Sequence, residues 1–163
     1  MIYSYLDTLV WEELRCEINN AILEFYMNNT SLKVHDVIQS LICDFGIKYG
    51  LAAEKEFRIS RRNDIDDKNG LIDVSLAKNN YRAIIEIDST PRDKSLYKLL
   101  NTSATQKVWV YCSTDKFETY IRDHTSELKN IILIPILPYR LIDRVMKKET
   151  KTIFYNSKIL EEG

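Results

Sequence analysis

At 163 residues, 45% hydrophobic and 29% charged, the chain has the size and composition of one folded domain with its own core, and no apolar run approaches the roughly 18 to 20 residues of a membrane span. Formal net charge is −1 at pH 7, so any contact with nucleic acid must come from local patches. The opening Met1-Ile2-Tyr3-Ser4-Tyr5-Leu6-Asp7 has no basic stretch leading into a long apolar one, which makes a cytoplasmic setting the expectation. Cys16, Cys43 and Cys112 are widely spaced among apolar neighbours, as small buried side chains in a reducing compartment are.

Leu9, Val10, Leu14, Ile18, Ile22 and Phe25 recur at helical spacing and predict a first helix over about 6–28, closed by the polar break Asn28-Asn29-Thr30-Ser31. Val34, Val37, Ile38, Leu41, Ile42 and Phe45 predict a second, with Ser31 as N-cap and Gly50 at its end. The period then changes to two. Phe57 and Ile59 alternate with Arg58 and Ser60, a charged loop runs from Arg61 to Asn69, and Leu71–Leu76 and Tyr81–Ile87 follow as strands across Asn79-Asn80, a pair that tolerates the positive φ of tight hairpin turns.

Ser89-Thr90-Pro91 predicts a helix entry, followed by Leu96, Leu99 and Leu100 at helical spacing. Val108–Cys112 and Ile131–Ile136 are short apolar runs of the kind that form strands buried on both faces, with a helix from Phe117 to His124 between them. Tyr139–Met146 predicts a further helical turn or two, and Thr152–Ile159 fits no single pattern. The expected fold is α/β, with a three-strand antiparallel meander passing into parallel crossovers and helices on both faces of the mixed sheet.

Two of these strands carry carboxylates where an apolar strand should hold none: Asp73 on the second, Glu86 and Asp88 on the third. An ionised carboxylate among apolar neighbours costs several kcal/mol unless a cation offsets it. A two-residue turn at Asn79-Asn80 sets Asp73 directly opposite Glu86, and Glu86 and Asp88 share a face because their separation is two. Like charges at that distance call for a shared cation, and hard divalent ions such as Mg²⁺ take oxygen ligands of this kind.

In this combination the chain resembles the PD-(D/E)XK phosphodiesterase superfamily, the restriction-endonuclease-like nucleases. The resemblance lies in Asp73 on the second core strand, Glu86-Ile87-Asp88 on the third, and the order helix, three-strand meander, helix, strand; it covers residues from about 33 to 112. It implies one nuclease-like domain over 1–163, with its core at about 33–137 behind an N-terminal helical extension, and Mg²⁺- or Mn²⁺-dependent hydrolysis of DNA. Asp88 stands where the family carries lysine, and Lys98, on the helix after the third strand, is the expected substitute.

The resemblance therefore assigns Asp73, Glu86, Asp88 and Lys98 to catalysis and Asp73, Glu86 and Asp36 to the metal, with Glu54 and Glu56 as alternatives to Asp36. Arg58, Arg61, Arg62 and Lys94 are the expected DNA contacts, and a homodimer or partner subunit is expected to supply specificity. The competing reading is a catalytically inactive relative that binds nucleic acid or protein. With four glycines and no phosphate-cradling loop, a nucleotide cofactor is not expected. His35 and His124 lack partners at ligand spacing and receive no role.

Overall fold

The computed structural model describes residues 6–28, 33–59 and 70–148. Helix α1 (Thr8–Met27) starts at Asp7, whose carboxylate accepts the Val10 N–H at 3.0 Å, and it buries Trp11, Leu14, Ile18 and Ile22. Helix α2 (Val34–Lys48) begins after Lys33 with no side-chain cap, while Ser31, the expected cap, lies outside the described residues. Its far end follows the sequence: Gly50 takes φ +79° and donates to Ile47 O, and Leu51 N–H returns to Gly46 O, which satisfies the last free carbonyls of the helix.

Strands β1 (Ala52–Arg58), β2 (Leu71–Lys78) and β3 (Tyr81–Asp88) form the antiparallel meander, and helix α3 (Asp93–Asn101) crosses over to β4 (Gln106–Cys112), parallel to β3. Helix α4 (Asp115–Asp123) leads to β5 (Ile132–Ile136), parallel to β4, and residues 139–148 are again helical. The sheet order is β1-β2-β3-β4-β5. The expected α/β architecture, a mixed sheet flanked by helices with an additional N-terminal helix, is the one observed. Thr152–Ile159 lies outside the described residues.

One core layer joins α1 and α2 to the sheet face carrying Val74, Leu76, Ile85 and Val108; the other joins α3 and α4 to the face carrying Ile84 and Trp109. Trp11, 4% exposed, belongs to the first layer, and Trp109 and Tyr111 to the second. Of the three cysteines expected to be buried, Cys43 and Cys112 are, but Cys16 is exposed because it falls on the outer side of α1.

Two strands break their own alternation at one level of the sheet. Val74 and Leu76 belong to the α1/α2 layer but Ile72 to the α3/α4 layer, although a regular strand would put all three on one face. β1 makes the same exchange between Ala53 and Phe57. The steps concerned are Asp73 and Glu56, which stand across from each other where the β1–β2 pairing skips from Lys55↔Val74 to Phe57↔Ile72. Glu56 there adopts φ +51°, a left-handed conformation that costs a non-glycine residue on the order of 1 kcal/mol or more.

Helix α2 lies close on β2 because Gly46 has no side chain: a Cβ added there would collide with Leu76 Cδ2 and stand 3.0 Å from its Cδ1 and 3.1 Å from its Cγ, and Leu76 is fully buried. Gly46→Val should lower stability by about 1–3 kcal/mol through overpacking, read from the urea midpoint. An unchanged midpoint would contradict this close packing.

Candidate functional site

β3 is the strand at which the sheet passes from antiparallel to parallel, and beyond its C-terminal end lies a cavity of about 540 Å³. Asp73, Glu86 and Asp88 line it together with His35, Arg92, Lys94 and Lys98. The hairpin register follows the expected turn: Asn79 takes φ +55°, and the pairs run from Lys78↔Tyr81 to Val74↔Ile85. The pairing then stops, one step before Asp73 would face Glu86 as a regular cross-strand pair.

At this step the side chains replace the ladder. Asp73 Oδ2 accepts the Ile87 N–H at 2.7 Å, so a carboxylate occupies a place that a strand carbonyl would fill. The Asp73 N–H points to Glu86 Oε2 at 3.4 Å, and the Asp73 carbonyl accepts from Gln39 Nε2 at 2.8 Å. Gln39, on α2 and 5% exposed, donates also to Glu56 Oε1 at 3.1 Å. The two acids are thus neighbours, joined by the Asp73 N–H to Glu86 bond and by a bond between their side chains, rather than set opposite each other as the regular cross-strand pair expected.

Glu86 is 1% exposed, and its Oε1 accepts no hydrogen bond of ordinary geometry; its neighbour is the Lys98 ammonium, which also donates to Leu71 O at 2.8 Å. Lys98 reaches this position because Leu96 and Leu99, buried on α3, fix that helix over the sheet. Burial and the adjacent Asp73 charge push the Glu86 carboxyl up to about 8, against the pull of Lys98. Burial acts upward on Asp73 too, but bonding with His35 and Glu86 and from the Ile87 N–H outweighs it and holds Asp73 below the usual carboxylate value. The two neighbouring acids are driven apart, one toward its neutral and one toward its charged form.

Asp88 faces donors. Its Oδ2 accepts the Trp109 indole N–H at 2.9 Å, Ser95 bonds to it, and Arg92 Nε stands 3.7 Å from Oδ1. Burial still raises its carboxyl above the ordinary value.

His35, given no role from the sequence, belongs to the site. Its Nε2 lies 3.6 Å from Asp73 Oδ2 and its Nδ1 3.7 Å from Asp36 Oδ1, and the bond to Asp73 raises the imidazole against the effect of burial. Asp36 itself is largely exposed and lines a separate cavity between α1 and α2, because the first turn of α2 turns His35 and Gln39, four residues apart, toward β2 and leaves Asp36 outside. The expected set of Asp73, Glu86 and Asp36 is therefore not assembled, and among the described residues no group of three or more His, Cys, Asp and Glu side chains is disposed to hold a metal ion.

Glu54 is exposed on β1, and Glu56 is engaged by Gln39. Of the expected DNA contacts, Lys94 lines the cavity, whereas Arg58 is exposed at the end of β1 and does not; Arg61 and Arg62 lie outside the described residues. His124 ends α4, stacked on Tyr120 and away from the cavity. The signal for the two residues missed was a pair of polar side chains, His35 and Gln39, at helical spacing beside the apolar stripe of α2.

The raised Glu86 carboxyl sets a pH dependence. An unfolded Glu releases its proton near 4.5 while the folded protein keeps it to about 8, so the folded state binds more protons in that interval and stability falls as pH rises through it. Glu86→Gln should remove most of this decline between pH 5 and 9, leaving the slope of His35, whose raised value acts in the same direction. Urea midpoints across that range for wild type and variant measure it; parallel slopes would refute the assignment.

Comparison of the chain with protein-family models, with curated proteins and with solved structures finds no match.

Proposed function

We propose that this protein is a metal-dependent nuclease of the PD-(D/E)XK type that hydrolyses DNA phosphodiester bonds, with Lys98 in the role of the motif lysine. The observation that carries this reading is the meeting of Asp73, Glu86 and Lys98 from three separate elements in one cavity. A lysine on a helix surface has no need to reach a buried carboxylate on a central strand, and here its ammonium does so at 12% side-chain exposure.

The donors fit a hard divalent cation. Glu86 Oε1 is buried with a cation, the Lys98 ammonium, as its neighbour, and Asp73 keeps its carboxylate charged beside it. Asp73 and Glu86 would hold Mg²⁺ or Mn²⁺, since Mg²⁺ is commonly held by only one or two carboxylates. Such an ion, when bound, lowers the pKa of a coordinated water and offsets charge on the phosphate.

The chain's own groups do the rest. Lys98, beside Glu86 in the cavity, would orient the attacking water. His35 holds Asp73 in place, and Asp88 holds Arg92 at the cavity wall. Arg92, Lys94, Lys33 and Arg140 bring positive charge to the cavity of a molecule whose net charge is near zero, which is where a phosphodiester backbone would be attracted. Two-fold pairing of chains would set two such sites against two strands.

Asp73→Asn, Glu86→Gln and Lys98→Met should each lower Mg²⁺-dependent cleavage of a plasmid by about 10²-fold or more while the circular dichroism spectrum stays that of the wild type. Cleavage by wild type that survives chelation, or full activity in Asp73→Asn, would refute the proposal. Salt-sensitive DNA binding without cleavage would favour the inactive-relative reading, to which Asp88 in the lysine position lends support.

A further inference from the structure

The change of face in β1 and β2 occurs at the one step of the sheet where the proposed site needs it. Had β2 continued regularly from Val74, Asp73 would be an ordinary ladder residue, its N–H and C=O bonded to the backbone of one neighbouring strand and its side chain fixed on one face. Instead the Asp73 N–H and C=O bond to side chains of Glu86 and Gln39, and its carboxylate enters between β2 and β3 to reach the Ile87 N–H. Pairing skips this step on the β1 side and ends before it on the β3 side.

Such an opening has costs. Glu56 is held in a left-handed conformation, and the Asp73 carbonyl loses its strand partner. A group must offset both, and Gln39 is the group in contact with both: one buried amide nitrogen donates to the Asp73 carbonyl and to the Glu56 carboxylate. A leucine there would offer no donor to either group, and the ladder would have every reason to close.

We infer that Gln39 is a positioning residue, which holds β1 and β2 open at Glu56 and Asp73 so that the Asp73 carboxylate is presented at the cavity. This rests on the proposed function in taking Asp73 as a ligand of the catalytic cation; the opening itself does not depend on that reading. Gln39 is expected to touch neither cation nor substrate, acting only through Asp73.

The experiment has two arms on full-length protein. In the first, the φ of Glu56 is read by NMR from its amide-to-Hα coupling and Cα shift in wild type, Gln39→Leu and Gln39→Glu, the second variant keeping the shape and polarity of the side chain while removing the donor. Extended Glu56 in whichever variant folds supports the inference, and a Glu56 that stays left-handed in the variants overturns it, whether or not the protein cleaves DNA. In the second arm, plasmid cleavage is titrated with Mg²⁺. The variants should need about 10-fold to 100-fold more Mg²⁺ for half-maximal rate, the range found when a ligand loses its supporting bond, with kcat at saturating Mg²⁺ lowered far less. An unchanged Mg²⁺ requirement overturns the positioning role. A wild type that does not cleave refutes the nuclease reading, and the first arm then decides by itself whether Gln39 holds the strands open.

Discussion

The buried carboxylate of Glu86 governs the arrangement around it. It stands at 1% exposure on the central strand of a five-stranded sheet, where an isolated charge is untenable and even a neutral carboxyl needs partners. Every neighbouring feature responds to it. Lys98 is delivered from α3, the Asp73 N–H turns from the ladder toward it, and the proton is retained to about pH 8. The neighbours of Glu86 along the strand, Ile84, Ile85 and Ile87, are buried apolar residues that need no such partners.

The topology explains why this constraint falls on β3. Antiparallel pairing to β2 and parallel pairing to β4 give it neighbours on both edges, so its side chains meet the α1/α2 layer on one face and the α3/α4 layer on the other. Its C-terminal end, with Glu86, Ile87, Asp88 and Ser89, opens into the cavity, the position where open sheets with parallel strands generally place their ligands. Charge from α3 and from residues 139–148 then converges on that end, with α2 supplying His35.

Much of this was legible in the letters. Asn79-Asn80 fixed the hairpin register because only a two-residue turn accommodates it, and Leu96 and Leu99 oriented Lys98 because a short helix has one apolar stripe to bury. The opening at Asp73 was not legible. Alternation is read on the assumption that a strand keeps its faces, and Ile72 and Val74 are apolar whichever layer each enters; Ala53 and Phe57 mask the same exchange in β1. Without it, His35 and Gln39 have no visible partners, since what they bind is a backbone and a carboxylate that a regular ladder would have turned elsewhere.

Asp88 follows from the same local chemistry. The position it occupies is surrounded by groups that give hydrogen bonds or carry positive charge: the Trp109 indole N–H, Ser95 and the Arg92 guanidinium. An acceptor fits there, whereas a lysine would leave the buried indole N–H without a partner and set one cation against another. With Trp109 packed on Phe117 and Tyr120 at the centre of the α3/α4 layer, that donor cannot move aside. A cation for Glu86 must therefore come from outside the strand. On α3, Ser95 and Lys98 are three residues apart and share a face, so the helix that supplies a hydroxyl to Asp88 also carries the ammonium to Glu86. The acid at position 88 on β3 and the lysine at position 98 on α3 are two consequences of one packing arrangement.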